Sequence, residues 1–278
     1  MKFIRPKDVE NLLENLEEDK SKKYFLAGGT DLNVQIKNGI IRDANIIYIN
    51  HLSELSGISE ENNIILIGAT TSIMDILDSD LIKRHLPYFQ RSLESFASPL
   101  LQNTATIGGN IANGSPTADV IPLLLVLDAK VELSSKSQSR LIYIKDFFNG
   151  YKQNVMKSNE IITHIIIDKN AEKDFLTFYE KVGSRRTLTI SKVTLAGMKK
   201  VSGQRISQIR LAVGSLNEFP RRLFKVEDYI TDKTLTEIDF SRVENLLGKE
   251  ITPITDLRSD KEYRYHVCVN LIRSFLNQ

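Results

Sequence analysis

The sequence predicts an α+β protein in two parts, and three observations carry the prediction. Short β-type runs alternate with helical patterns through the first 170 residues. Two glycine-pair loops interrupt that alternation. Beyond a polar, charged segment at 169–174, three longer β-type runs are followed by helical patterns. The boundary is placed in that segment, giving parts 1–170 and 171–278, in keeping with the roughly two domains that 278 residues favour.

In chain order, Phe3-Ile4-Arg5-Pro6 opens as a short strand leading into a helix, with Asp8 as N-cap and Val9, Leu12, Leu13 and Leu16 at helical spacing. Residues 22–26 are predicted as a strand, 32–37 as one or two helical turns, and 46–50 and 64–68 as strands with a single turn at 52–55 between them. A helix follows Thr71 or Ser72, and another runs from Pro87 to Phe96 until Ser98-Pro99 breaks it. Residues 106–119 read as a glycine-rich loop and 120–127 as a strongly apolar helix. A hairpin is predicted over 130–134 and 140–144, and a strand over 161–168. In the second part, 175–182, 193–201 and 206–215 are expected to form an antiparallel sheet. Helices are expected at 226–230, 243–247 and 261–276, the last with Val267, Leu271 and Phe275 on one face.

Hydrophobic residues make up 41% of the chain, ample for a buried core. The formal net charge is +2, from 37 basic and 35 acidic residues, so the balance makes no case for nucleic acid as a partner. Basic clusters at 20–23, Arg185-Arg186 and Arg221-Arg222 read as solvated surface. The single cysteine, Cys268, excludes an intramolecular disulfide and is expected in the core. Four scattered histidines and no C-x-x-C leave no iron–sulfur, zinc or haem site to expect, and no acid–base triad is evident, so neither catalytic nor metal-ligating residues are assigned. No apolar run approaches the ~20 residues that span a membrane, and the N-terminal residues lack the apolar core of a signal peptide. The expectation is a cytoplasmic chain.

Chemistry concentrates in the two loops. Residues 106–119 read Thr-Ile-Gly-Gly-Asn-Ile-Ala-Asn-Gly-Ser-Pro-Thr-Ala-Asp, nearly uncharged in a chain that is 26% charged. Adjacent glycines permit positive φ and close approach, so Gly108 and Gly109 are candidates to turn their N–H groups toward one anion. Tight turning alone would also explain them. Asn110, Asn113, Ser115 and Thr117 add polar groups, and Asp119 a carboxylate that either receives ligand hydrogen bonds or caps the following helix. The second loop, Ala27-Gly28-Gly29-Thr30-Asp31-Leu32, follows the apolar strand Tyr24-Phe25-Leu26. Together the loops can clasp a diphosphate from two sides. Neither matches the Rossmann or P-loop pattern.

With these motifs the chain resembles, over nearly its full length, the FAD-binding medium subunits of the molybdenum hydroxylases, among them the xanthine and carbon monoxide dehydrogenases. Ala27 to Leu32 resembles the family's first diphosphate loop and Thr106-Ile107-Gly108-Gly109-Asn110 its second. Ser115-Pro116-Thr117-Ala118-Asp119 and Asp128-Ala129 continue the match in order. The resemblance implies a VAO/PCMH-type FAD-binding domain of two α/β subdomains, followed by a smaller α+β domain with an antiparallel sheet and helices. It implies FAD held by Leu26 and the first loop, Phe96, the second loop, Asp119, the backbone of Ile162, and Lys181 near the flavin. Ile107, Ile111 and Ile162 would wall the rings. Many relatives carry another residue at Lys181, and Thr189 stands where many have Asp or Ala.

The implied activity is that of an oxidoreductase subunit. A molybdopterin subunit would oxidise substrate, [2Fe–2S] clusters on a further subunit would relay electrons, and this chain's FAD would pass them to NAD⁺ or another acceptor, in a complex of the xanthine dehydrogenase type. A chain with a single cysteine is consistent with clusters on a partner. A self-contained PCMH-type flavin oxidoreductase, or a binding module without cofactor, are the other readings. The former often tethers FAD through His or Cys, and neither lies in either loop.

Overall fold

The computed structural model describes residues 2–18, 21–185 and 188–278; Lys20 and Arg186 of the basic clusters, and Thr187, lie outside the described residues. The first part begins with β1 (Lys2–Ile4), α1 (Val9–Glu18), β2 (Lys23–Leu26), α2 (Leu32–Lys37) and β3 (Asn45–Tyr48). These strands form a parallel sheet in the order β1-β3-β2. Asp8 accepts from the Asn11 N–H at 2.8 Å, the N-cap expected. Leu12 and Leu16 of α1 bury against Ile47, Leu52 and Leu55.

A second layer follows with β4 (Ile58–Glu61), β5 (Ile64–Gly68), α3 (Ile73–Asp78), α4 (Asp80–His85), α5 (Pro87–Leu93), α6 (Pro99–Gln102), α7 (Ile107–Asn113) and α8 (Val120–Val126). After it come β6 (Lys130–Ser134), β7 (Ser139–Tyr143), β8 (Phe148–Gly150), β9 (Gln153–Asn154) and β10 (Ile161–Asp168). The five-stranded antiparallel sheet runs β4-β5-β10-β6-β7. Its buried residues and helices α3, α4, α5, α7 and α8 share one core, centred on Ile65, Ile67, Ile107, Ile165 and the wholly buried α8.

The last part holds β11 (Leu176–Val182), β12 (Val193–Ser202), β13 (Arg205–Gly214), β14 (Arg221–Arg222), α9 (Phe224–Ile230), α10 (Phe240–Leu247) and α11 (Lys261–Leu276). The antiparallel sheet is ordered β11-β12-β13-β14. Its central strands are covered on both faces. Val193, Leu195 and Leu211 face the helices of this part, whereas Ala196, Met198 and Ala212 join the core that holds α8. That shared core fixes the second part against the first.

The expected α+β architecture is therefore present, with three local corrections. Strand β4, helices α4 and α6 and strands β8, β9 and β14 are not predicted, because β4 is a mostly polar edge strand and the others have two to six residues. The glycine-rich stretch after Thr106 is helical as far as Asn113, with Thr106 as N-cap accepting from the Gly109 N–H at 3.2 Å. On α11 the buried stripe is Arg264, Cys268, Ile272 and Phe275, with Val267 and Leu271 only half-buried. Cys268 is in the core as expected.

Candidate functional site

Two chain segments some eighty residues apart meet at the first glycine pair. A Cβ added to Gly28 would lie 1.7 Å from the carbonyl oxygen of Thr104, so the loop after β2 presses backbone to backbone on the turn that leads into α7. Gly29 takes φ +70°, and the chain then turns into α2 with Asp31 at its N-cap. The backbone N–H groups of residues 28–32 have no acceptor among the described residues, and the first bonded amide is Asn33, donating to the Gly29 carbonyl at 3.1 Å. The result is a run of five free donors gathered in one bend, the arrangement that suits an anion. The Asp31 carboxylate is held aside by the side-chain amide of Gln35.

The second glycine pair works differently from its expectation. Gly108 does not turn its N–H toward an anion; it donates to the Ala69 carbonyl at 2.9 Å, and a Cβ there would sit 2.6 Å from that oxygen. Its glycine serves close helix-to-strand packing. Gly109 is exposed, and its N–H is satisfied by Thr106. Asn110, one residue on, has a buried Oδ1 with no hydrogen-bond partner among the described residues. A buried acceptor without a donor is costly unless a ligand supplies one.

Between these elements lies a pocket of about 300 Å³. The first loop supplies Thr30 and Asp31; Phe96, Ala97, Leu101 and Ala105 form an apolar side; Asn110, Asn113, Ser115 and Thr117 form a polar one. Ala118 and Asp119 close one end together with Thr189 and Ile190 from the second part of the chain. Among the described residues no lysine or arginine lines it. Ala97 adopts φ +43°, an uncommon conformation for a residue with a Cβ and one that clusters at functional sites.

Asp119 sits at the seam. Its Oδ2 receives Lys181 Nζ at 2.6 Å and its Oδ1 the Ser191 hydroxyl at 2.7 Å. Lys181 Nζ also donates to the Ser95 carbonyl at 3.0 Å, and the Tyr179 hydroxyl donates to the Asp119 carbonyl at 3.3 Å. Burial pushes the Asp119 carboxyl up, opposed by Lys181 and Ser191. Burial likewise raises the Tyr179 phenol, keeping it a neutral donor. Asp119 makes no side-chain hydrogen bond that caps α8, so its carboxylate serves this cluster and not the helix.

Of the residues singled out in the sequence, Thr30, Asp31, Phe96, Asn110, Asn113, Ser115, Thr117, Ala118, Asp119 and Thr189 line the pocket, and Thr106, Gly108 and Gly109 do not. Lys181 joins them through Asp119. Leu26, Ala27, Gly28, Gly29 and Leu32 are half-buried in the first loop and its flanks. Ile107, Ile111 and Ile162, expected as walls, are buried side chains of the main core and line no part of the pocket. Tyr179 and Ser191 were not singled out. Their contacts to Asp119 span 60 and 72 residues, and no local pattern announces such pairs.

The family model described as the FAD binding domain in molybdopterin dehydrogenase matches residues 1–169, and that of the CO dehydrogenase flavoprotein C-terminal domain matches 178–278. The chain is 30% identical over 265 residues to the glyceraldehyde dehydrogenase medium chain of Sulfolobus acidocaldarius, covering 95% of this chain and 93% of that one. It is 27% identical over 265 residues to the xanthine dehydrogenase FAD-binding subunit of Escherichia coli O157:H7, covering 95% and 91%. Among solved structures, a chain of the Hydrogenophaga pseudoflava carbon monoxide dehydrogenase lacking the Mo-pyranopterin moiety superposes with a TM-score of 0.93 at 27% identity, covering 100% of this chain and 96% of that one.

Proposed function

The chain belongs to the family of the FAD binding domain in molybdopterin dehydrogenases, and from that premise we propose that it is the electron-transfer subunit of a molybdenum hydroxylase complex. It is an FAD-binding oxidoreductase subunit. In our reading it takes electrons from [2Fe–2S] clusters of a partner subunit, and a molybdopterin subunit oxidises the substrate. NAD⁺ or another acceptor receives the electrons, in a complex of the xanthine dehydrogenase type. We assign residues 1–170 to the FAD-binding domain and 171–278 to the C-terminal domain.

One observation carries the reading: a single pocket is lined both by the first glycine loop and by the helix that starts at Thr106. The residues present fit a dinucleotide. Five amides at 28–32, without an acceptor among the described residues, offer neutralisation of a diphosphate. The orphaned Asn110 Oδ1 awaits a donor such as a hydroxyl or ring N–H. Phe96, Ala97 and Leu101 provide the apolar side that a ring system requires. FAD, when bound, supplies the exchange between one-electron and two-electron chemistry, and the protein binds and orients it. Exposed Gly109 leaves room at the start of α7, and Lys181, held by Asp119, places its charge at the end of the pocket nearest the second part.

The test is spectroscopic. The purified chain, reconstituted with FAD, is expected to show a bound flavin spectrum in 1:1 ratio, and the native complex to contain molybdenum and iron–sulfur chains. Gly109→Val is expected to lose FAD while keeping its circular dichroism spectrum. A colourless chain that cannot be reconstituted defeats the FAD reading. A flavoprotein that purifies alone and oxidises an organic substrate by itself defeats the electron-transfer reading.

A further inference from the structure

A second pocket, of about 340 Å³, lies at the other end of α5 and shares no residue with the first. Phe96, just beyond the C-terminal end of α5, lines the first pocket, whereas Pro87, Tyr88 and Arg91 line the second. Its remaining walls come from the end of α4, from the segment joining β10 to β11, and from the start of β11. Five basic side chains converge there: Arg84, His85, Arg91, Lys169 and Lys173.

The pairing of these groups is uneven. Lys169 Nζ reaches Glu60 at 2.9 Å and the Asn62 carbonyl at 2.8 Å, and His85 Nε2 lies 3.4 Å from the same Glu60 carboxylate. Arg84, Arg91 and Lys173 make no side-chain hydrogen bond and no ion pair within 4 Å among the described residues, and all three are exposed. The one carboxylate in the wall does not balance them. Glu172 spends both oxygens on the first turn of α5, accepting from the Tyr88 N–H at 2.8 Å and the Phe89 N–H at 2.8 Å. Three cations from three chain segments therefore face a concave space with no carboxylate in ion-pair contact among the described residues; Glu60 and Glu172 act on Arg84 and Arg91 only from beyond 4 Å. Like charges gathered this way repel one another unless an anion joins them.

We propose that this pocket binds a small phosphate-bearing molecule, with Arg84, Arg91 and Lys173 as its ligands. Two guanidinium groups favour a phosphoryl group, which presents oxygens to each planar fork, and Lys173 adds a point charge. The Thr177 side chain in the wall offers a neutral donor or acceptor for the rest of the molecule. The space matches a metabolite-sized ligand. Its position also gives it a route to the first pocket. The seven residues of α5 span about 10 Å at 1.5 Å per residue, and the Tyr88 hydroxyl donates to the Phe178 carbonyl at 2.7 Å, next to Tyr179. An occupant of the second pocket thus rests on α5, which leads to Phe96 of the first pocket, and on β11, which carries the Lys181 bonded to Asp119 of the first. This inference stands whether or not the electron-transfer reading holds, because it uses no residue of the FAD pocket.

The experiment is titration calorimetry of the full chain, loaded with FAD so that the first loop is filled, using inorganic pyrophosphate in metal-free buffer. One saturable site per chain is expected. Arg84→Ala/Arg91→Ala is expected to weaken it at least tenfold with flavin absorbance unchanged, and Lys173→Ala to weaken it less. Both changes are at exposed side chains, so the fold should survive, and the flavin spectrum verifies that it does. No saturable heat, unchanged affinity in the variants, or several weak sites that sulfate fills equally well would overturn the proposal. So would binding by the free chain that the assembled complex blocks, which would hand the pocket to an acidic surface of a partner subunit.

Discussion

Lys181 Nζ and Asp119 Oδ2 stand 2.6 Å apart, with side chains only 6% and 12% exposed, and they join β11 to the start of α8 across 62 residues of sequence. The pair binds the two parts of the chain at the edge of the cofactor pocket. Removing one partner leaves a buried, uncompensated charge, which is far more damaging than replacing both. Lys181→Ala should therefore destabilise the chain by about 3–5 kcal/mol. Asp119→Asn/Lys181→Met should recover a large part of that loss. Urea unfolding of the three proteins checks this. If the single variant unfolds like the wild type, the pair is a loose surface contact. In the FAD-loaded protein, Lys181→Ala is also expected to keep its flavin but shift its reduction potential, which a spectroelectrochemical titration reads.

The glycines make separable predictions, because the structure gives each a different neighbour. A methyl group at Gly28 collides with the Thr104 carbonyl, and backbone on both sides leaves nothing flexible to yield. Gly28→Ala should lower both the thermal midpoint and the FAD content. At Gly109 the nearest obstacle is the Thr106 hydroxyl at 2.8 Å, whose shift weakens the α7 cap by about 1 kcal/mol, a cost that the better helix propensity of alanine offsets. Gly109→Ala should fold with a near-normal midpoint, so any loss of FAD there reports on the cofactor alone. Parallel melting curves and flavin absorbance distinguish the two, and equal melting losses would contradict the packing described.

These contrasts mark what the sequence reveals. Both glycine pairs stand out in one dimension, since runs of small residues beside an apolar strand are rare in a charged chain. Their separate duties do not, because Gly108 faces Ala69 and Gly28 faces Thr104 only after the chain has folded. The helix after Thr106 was legible in principle: a threonine cap and Ile107 and Ile111 four apart are helical signals, outweighed there by the glycines. The same four-residue spacing on α11 points to Val267 and Leu271, one position before the buried Cys268 and Ile272, since Arg264 is buried, held by the Lys192 and Ser215 carbonyls and by Asp256. A buried arginine breaks any rule that equates the inner face with apolar residues.

Glu172 yields a prediction in pH. Burial drives its carboxyl up to about 7, against the pull of the Tyr88 and Phe89 amides and of Arg91. Its folded value thus exceeds the ordinary 4.5. A group raised on folding contributes most below the unfolded value and loses that contribution as pH rises through the folded one. The part of the stability due to Glu172 should be full below about pH 4.5 and gone above about pH 7, a change on the order of 3 kcal/mol. Unfolding free energies measured across this window should fall with rising pH more steeply in the wild type than in Glu172→Gln. A difference between the two that stays constant across the window would mean that Glu172 titrates normally.

Cys268 supplies the last prediction, and a simple one to measure. It is fully buried on α11, and burial pushes its thiol up to about 12, so almost no thiolate exists near neutral pH. A thiol reagent must wait for the helix to leave its place between the sheet and α10. The native chain should therefore react with Ellman's reagent at the rate of global or sub-global opening, and at once in denaturant, releasing one equivalent. Because α11 packs on the sheet whose other face carries α8, the same rate also gauges the cofactor. FAD binding should slow the labelling in proportion to the stability it adds. Fast labelling of the FAD-loaded chain at pH 8 would show that α11 is not held as the structure has it.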